Sequence, residues 1–390
     1  MKLIFSDQPL PITVTKSIFL AGPSPRNSEQ PNWRKEAIQS LQSSGFDGEV
    51  FIPIPSSVWN NPTNSWQVDY ETQVEWELKA RQIADTILYW VERDINAGML
   101  GLTTNVEFGN DTSTGKMWYG RPDNADNIRY LDHIARSSDI AIFNDLDTIV
   151  QSVIKHLGKG ASRKNGEVNV PLFIWNTEQF QQWYSNVKQN GNRLDDAKVQ
   201  HFLKFKNGFV FSFVLWVNVW IESEQRSKDN EFIFSRKDIS CIMPYYKAPS
   251  GETFVVLVKE FRSPCKNAAG LVYELPGGSS MKPNVDPRSN AQHELQEETG
   301  IFVADESRFK FEGTKQICAT LSTHSSWLYS VELSAAEFLK ALETAKKQTT
   351  FGVVEDTEKT YIEIMPVSKI MEYPLDFSMV GMILGTLKNK

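Results

Sequence analysis

A chain of 390 residues with 48 acidic and 41 basic side chains carries a formal charge of −7. No long block of Lys and Arg interrupts it, which argues against nucleic acid as the main partner and leaves a small molecule. With 41% hydrophobic residues, 11 Trp and 23 Phe, the composition is that of a folded protein with substantial cores, and the length exceeds the roughly 100–200 residues of one ordinary domain.

The opening MKLIFSDQPLPITVTK has too short an apolar run for a secretory signal. From Ile18 to about Asn144, short apolar runs alternate with helix-like segments, the rhythm of a parallel α/β sheet. The expected strands are SIFLAG, EVFIP, TILYWV, KMWYG and DIAIFN. Between them lie helical patterns at Trp33 to Leu41 and Glu71 to Ala84, the second with Val74, Leu78 and Ile83 on or near one face. SIFLAGPSPR ends the first strand in Gly22 and Pro23 and reaches Arg26; a glycine turn there is where open α/β sheets bind ligands. ADTILYWVERD puts Asp85 at a strand start, and GLTTNVEFG puts Asn105 and Glu107 in a helix beginning near Thr103.

Taken together, these segments resemble the nucleoside 2-deoxyribosyltransferase-like family over about residues 16–150. The resemblance implies a flavodoxin- or Rossmann-like parallel sheet, Glu107 as the nucleophile on the anomeric carbon, and Asp85 as the acid that handles the leaving base. Gly22, Pro23, Arg26 and Asn105 fall at substrate-binding positions. A carboxylate suits glycosyl transfer because it can form and release a sugar ester through an oxocarbenium-like transition state. An acid that many such transferases carry six residues before the nucleophile is replaced here by Gly101, which bears on sugar-hydroxyl recognition.

After Asn144 the alternation fades. KHLGKGASRKNGE, Lys155 to Glu167, reads as an exposed loop, NVPLFIW as a last strand, and NTEQFQQWYSNVKQ as a capped amphipathic helix. The longest apolar run, Phe209 to Ile221, falls short of the roughly 20 residues that span a bilayer and contains Asn218; it reads as buried strand, with no membrane partner. The domains expected are therefore residues 1–165, a connecting segment 166–204, and a mixed α/β domain 205–390, the join lying near residue 200.

In the second domain the strands EFIFSR, DISCIMPYY and TFVVLVKEF precede one strong helix near 287–298. Asp286 before Pro287 is a good helix start and Gly300 a stop. Glu294, Glu297 and Glu298 are spaced i, i+3 and i+4, so three carboxylates crowd one face, a pattern that fits either a solvated acidic face or a site for Mg²⁺ or Mn²⁺. Upstream, YELPGGS ends a strand in a glycine turn. This order resembles the Nudix hydrolase family over roughly residues 205–390, carried by Gly278, Glu294, Leu295, Glu297, Glu298, Gly300 and Ile301. It implies an α/β/α sandwich with a mixed sheet and a metal held by Glu294, Glu297 and Glu298. Two departures stand out: His293 replaces the usual Arg that steadies a glutamate, and the loop after Gly278 is one residue longer than usual, with Val285 or Asp286 where a Glu is expected.

VLVKEFRSP resembles the ADP-ribose pyrophosphatase branch, with Arg262 and Glu274 at substrate-binding positions and Glu355, followed by Asp356 and Glu358, as the loop acid that helps activate water. The joint expectation is a bifunctional nucleotide-processing hydrolase, or else a pyrophosphatase regulated by a nucleotide-sensing first domain. Domains resembling both families often form dimers, so the resemblance allows a homodimer, although the residues themselves do not fix the oligomeric state. Three scattered cysteines, Cys241, Cys265 and Cys318, without CxxC spacing, fit a reducing cytoplasm.

Overall fold

The apolar runs of the first half pair in parallel because the helices between them carry each strand back to the same edge. In a computed structural model, residues 1–25, 30, 32–61, 68–205, 207–280, 285–352 and 358–388 are described; Arg26, Glu355 and Asp356 lie outside them. The chain divides into two units, Met1–Phe234 and Ser235–Lys390.

The first unit runs β1 (Lys2–Phe5), β2 (Thr13–Val14), β3 (Ser17–Ala21), α1 (Trp33–Ser43), β4 (Glu49–Ile52), α2 (Ser56–Asn60), α3 (Tyr70–Ile83), β5 (Thr86–Trp90), α4 (Leu102–Asp111), β6 (Met117–Gly120), α5 (Arg129–Ser137), β7 (Ile142–Phe143), α6 (Leu146–Leu157), β8 (Arg163–Lys164), α7 (Leu172–Trp175), α8 (Glu178–Gln189), β9 (Arg193–Lys204), β10 (Val210–Ile221) and β11 (Arg226–Arg236). Its main sheet has the order β1-β4-β3-β5-β6-β7, with every neighbouring pair parallel. All residues of β3 and β5 are buried, as strands covered on both faces must be. One face packs on Trp76 and Ala80 of α3, Phe108 of α4 and Leu131 of α5; the other packs on Trp33 and Leu41 of α1 and Val150 and Val153 of α6. The strand order reverses between β3 and β5, which leaves a crevice at their carboxyl ends.

Three local expectations are corrected. The buried stripe of α3 is Trp76, Ala80 and Ile83, whereas Leu78 is 52% exposed. NVPLFIW forms no strand: Pro171 caps the short helix α7, whose Ile174 packs with Phe180 and Tyr184 of α8. The basic segment 155–167 is not wholly a surface loop, because it holds β8 and the fully buried Arg163.

Phe209 to Ile221 supplies one long strand, β10, which pairs antiparallel with β9 in a three-stranded sheet of order β11-β10-β9. Its alternating Phe213, Leu215 and Val217 pack over α7 and α8. Residue 205 therefore sits in the turn of a paired hairpin, and the two units divide 30 residues beyond it, between Phe234 and Ser235.

The second unit contains β12 (Ile239–Lys247), β13 (Thr253–Phe261), β14 (Leu271–Glu274), β15 (Gly277–Gly278), α9 (Pro287–Thr299), β16 (Lys310–Gln316), β17 (Ser325–Glu332), α10 (Ala335–Lys346), β18 (Thr350–Phe351), β19 (Thr360–Pro366) and α11 (Phe377–Leu387). Its sheet is mixed, with β12 parallel to β17 and antiparallel to β13. Alternation along the strands sends Ile242, Val256 and Ile362 toward Leu295 of α9 and Phe338 of α10. Met243, Val255 and Met365 pack with Met379 and Ile383 of α11, so helices cover both faces of the sheet. Among the described residues no helix is long and apolar enough to cross a membrane, and all three cysteines are free thiols.

The first unit is tied at its base by an ion pair without any side-chain exposure. Arg163 Nη2 lies 2.6 Å and Nη1 2.7 Å from the two carboxylate oxygens of Asp85. Ser17 donates to the same carboxylate from its backbone N–H and its hydroxyl, and the Leu172 N–H donates as well. Removing one partner from such a pair leaves a buried charge and costs about 3–5 kcal/mol. Asp85→Ala and Arg163→Ala are each expected to lower stability by that amount in urea unfolding, and the double variant by much less than the sum. Additive losses would show that the pair is not coupled.

Candidate functional site

Strand β3 must be followed by glycine because the chain then passes directly over its neighbour β5. Gly22 has φ +147°, and a Cβ there would stand 2.2 Å from the Trp90 carbonyl oxygen at the end of β5. The turn is gripped from the first turn of α1: Arg34 donates from Nη2 to the Gly22 carbonyl at 2.7 Å, from Nε to Leu20 at 3.0 Å and from Nη1 to Pro23 at 3.2 Å. Trp33 Nε1 reaches the same Pro23 carbonyl at 3.0 Å. Arg34 is only 1% exposed, and burial pulls its pKa down to about 10 while Glu107 and Glu77 oppose the fall.

Over this turn opens a cavity of about 540 Å³, within the usual size of small-molecule sites. Gly22 and Pro23 form its floor, Gln73 and Glu77 of α3 one wall, and Thr104 and Glu107 of α4 another. α4 starts at Gly101 in the left-handed conformation, φ +59°, without a side-chain cap, so its first N–H groups keep their positive end of the helix dipole for a ligand. The rotation of α4 is fixed by Phe108, which lies edge-on to Tyr89 and Tyr119. Its end is fixed by Asp111, which accepts from Arg81 at 3.0 Å and from the Tyr89 hydroxyl at 2.7 Å.

With the helix so held, Glu107 lies on the face of α4 that lines the cavity. Burial, with the hydrogen-bonded carboxylate of Glu77 beside it, pushes its pKa up to about 8, while Arg81 pulls the other way. Glu77 is in turn held by Gln73, whose amide donates to it at 2.6 Å and to the Pro53 carbonyl at 3.3 Å. Two carboxyl groups sharing one proton can act as one acid and one base or nucleophile.

Asp85 does not join them. It stands before β5, at the amino end of the strand, whereas the cavity lies at the carboxyl end, roughly 17 Å away along five residues. Its carboxylate is saturated by Arg163, Ser17 and Leu172, so it is structural and not the acid of this cavity. Asn105 is exposed and accepts from Arg93 Nη2; about 200° around the helix from Glu107, it points elsewhere. Gly22 and Pro23 lie in the cavity as expected, and Arg26 is outside the described residues. Sequence reading missed Glu77 and Gln73 because α3 presents Glu71, Glu75 and Glu77 alike; only the i, i+4 spacing of Gln73 and Glu77 hinted at a pair.

In the second unit, α9 is capped as its sequence predicts. Asp286 accepts from the Ser289 N–H and Gly300 closes the helix at φ +66°. Glu298 accepts from the Gly277 N–H at 2.9 Å, and Glu294 lies so close to Gly278 that a Cβ there would stand 2.7 Å from its oxygen. Burial and the neighbouring carboxylates hold Glu298 well above the usual range and raise Glu294 to about 7. Glu297 is instead engaged by His293, Nδ1 to Oε2 at 3.3 Å. The expected trio is thus split, with Glu294 and Glu298 on the glycine turn and Glu297 on His293, and among the described residues no three acidic, His or Cys side chains form a ready metal cluster. Arg262 and Glu274 are brought together, Nε to Oε2 at 2.8 Å, and Arg262 Nη2 also lies 2.9 Å from Glu260. That Glu260 oxygen is buried without a hydrogen bond of acceptable geometry. Glu355 is outside the described residues.

No curated protein matches the chain. Residues 15–124 match the family model described as nucleoside 2-deoxyribosyltransferase like, which spans the Gly22 turn, Glu77 and Glu107; this part of the chain is a nucleoside 2-deoxyribosyltransferase-like domain.

Proposed function

We propose that the first unit breaks or exchanges the N-glycosidic bond of a nucleoside or nucleotide, with Glu107 as nucleophile on the anomeric carbon and Glu77 as the proton donor to the departing base. The observation that carries this reading is that Glu77 and Glu107 line one cavity at the crevice of the sheet, with their carboxyl groups hydrogen-bonded to each other. Ionised Glu107 attacks C1′, the bond to the base breaks, and the pair's proton leaves on the base; water or a second base then takes the sugar from the ester. A specific observation favours a second reading. With its pKa near 8, Glu107 is mostly protonated in the empty cavity at neutral pH, which suits a nucleotide-sensing domain.

For the second unit we propose a Nudix pyrophosphatase acting on an ADP-ribose-like nucleoside diphosphate derivative. The residues fit a hard divalent cation: Glu294 and Glu298 crowd one glycine turn, both with raised proton affinity. Mg²⁺ takes one or two carboxylates plus substrate phosphates, so Glu294 and Glu298 would hold it, with His293 steadying Glu297 beside them. When bound, the cation neutralises pyrophosphate charge and activates water. Arg262, fixed by Glu274 and Glu260, offers its guanidinium to the substrate. An NAD-like dinucleotide offers both bonds that the two units would cut.

Two tests follow. Base release from a panel of nucleosides and nucleotides, read by mass spectrometry, should fall at least about a thousandfold in Glu107→Gln. Since one carboxyl of the pair attacks ionised while the other must keep a proton for the departing base, kcat/KM should fall about tenfold per pH unit above an inflection near 8. Glu77→Gln removes the carboxyl group that supplies the proton, so this high-pH fall should disappear while the maximal rate drops. Base release unchanged in both variants, or absent in the parent protein, would leave the sensing role.

In the second test, Mg²⁺-dependent formation of AMP from ADP-ribose should vanish in Glu298→Gln, together with Mn²⁺ binding by calorimetry, and persist in Glu107→Gln. His293→Ala should cost about 10–100-fold in metal affinity or rate, the usual effect of a group that orients a ligand. Metal binding undiminished in Glu298→Gln would overturn the assignment.

A further inference from the structure

A second cavity of about 550 Å³ lies within the first unit, between the carboxyl ends of α3 and α4 and strand β9. The reading of Glu107 does not depend on it. Its walls carry Arg81, Lys116, Lys198 and His201 against the single carboxylate of Asp111, and that carboxylate is already taken by Arg81 and Tyr89. Lys116 is buried and donates to the Arg81 and Gln82 carbonyls at 2.5 and 2.9 Å, so its charge adds to the field without reaching the space. Lys198 and His201 are exposed at the mouth, and among the described residues neither side chain has an ion-pair or hydrogen-bond partner.

The β9 wall is shaped in a way that ordinary pairing would not give. His201 pairs with Val214 and Val199 with the next residue, Leu215, so Gln200 is an extra residue in β9. Such a bulge kinks the strand and re-aims side chains, and bulges gather beside functional sites; here Val199, Gln200 and His201 all border the cavity. The next residue, Phe202, lies edge-on to Phe173 at 5.1 Å. It lies against Gly115, φ +71°, where a Cβ would come within 2.6 Å of the ring. Opposite it, Leu78 keeps 52% of its surface exposed although it stands on a helix with a buried face available.

We infer that this cavity is a second ligand site, for a nucleoside phosphate, with Lys198 and His201 on the phosphate and the Phe202 ring and Leu78 against the base. Excess cationic charge selects an anion, the apolar wall selects a ligand with a flat apolar part, and the Gln82 and Gln200 amides offer donors and acceptors to its ring atoms. A bare phosphate would leave Phe202 and Leu78 without a role.

AMP binding to the full chain, followed by isothermal titration calorimetry, tests this. AMP should bind, pyrophosphate should displace it, adenosine should bind at least about tenfold more weakly, and affinity should fall as salt is raised. Lys198→Glu, a surface change that should leave the melting temperature unaltered, should weaken AMP at least about tenfold by charge reversal, His201→Ala should weaken it less, and at about pH 6, where Glu107 already holds its proton, Glu107→Gln should leave it unchanged. Undiminished AMP binding in Lys198→Glu, loss in Glu107→Gln, equal affinity for adenosine, or no binding at millimolar AMP would each overturn the assignment.

Discussion

A carboxylate with no exposed surface must be answered charge for charge and bond for bond, and Asp85 is so answered by Arg163, Ser17 and Leu172. The desolvation of two ions makes such a pair a poor source of net stability, but it is a strong source of position. It joins the start of β3, the residue before β5, the strand β8 and the start of α7, four places far apart in sequence. With β3 and β5 clamped at their amino ends and paired Ile18 to Thr86 through Ala21 to Tyr89, their carboxyl ends have one register only. That register puts Gly22 on the Trp90 carbonyl, and from it the floor of the cavity follows.

The same unit treats its other carboxylates differently. Asp111 is compensated by Arg81, yet Glu107, one helical turn earlier, lies against the carboxyl group of Glu77 and has no ion-pair partner among the described residues. Arg34, the nearest buried cation on the floor, spends its donors on three backbone carbonyls and the Ser24 hydroxyl. A fold that compensates Asp85 completely and leaves Glu107 raised to about 8 concentrates its electrostatic strain at one place. Functional sites are where such local conflicts are expected.

How much of this was legible in sequence depended on whether the signal was local. Periodicity gave five of the six strands of the parallel sheet and α1, and the Asp286-Pro287 and Gly300 signals gave α9 to within a residue, because caps and alternation are written in adjacent residues. Glycine 22 was legible as a turn, and Glu107 as a helical acid following it. The partners of Asp85 were not, since Arg163 lies 78 positions away inside a basic, glycine-rich stretch that reads as surface. Glu77 was hidden for a related reason: three glutamates of α3 look alike until tertiary packing turns one of them toward α4. NVPLFIW misread as strand because Leu-Phe-Ile-Trp has strand propensity, which Pro171 at a helix start and packing on α8 override. His293 could be read as a partner for a glutamate on α9, and it does engage Glu297, whereas the split of Glu297 from Glu294 and Glu298 required the side-chain directions that spacing alone leaves open.

Arg81 stands between the two cavities of the first unit. It pairs with Asp111 at the border of one, and its charge restrains the proton affinity of Glu107 in the other. Because the guanidinium is buried, its field is screened little by salt. An anion entering the second cavity would offset part of that field and make Glu107 hold its proton more tightly; ionising Glu107 would, by the same free energy, disfavour the anion. Such reciprocity needs no movement of the backbone, only that α4 carry Glu107 and Asp111 on successive turns with Arg81 lodged beside both.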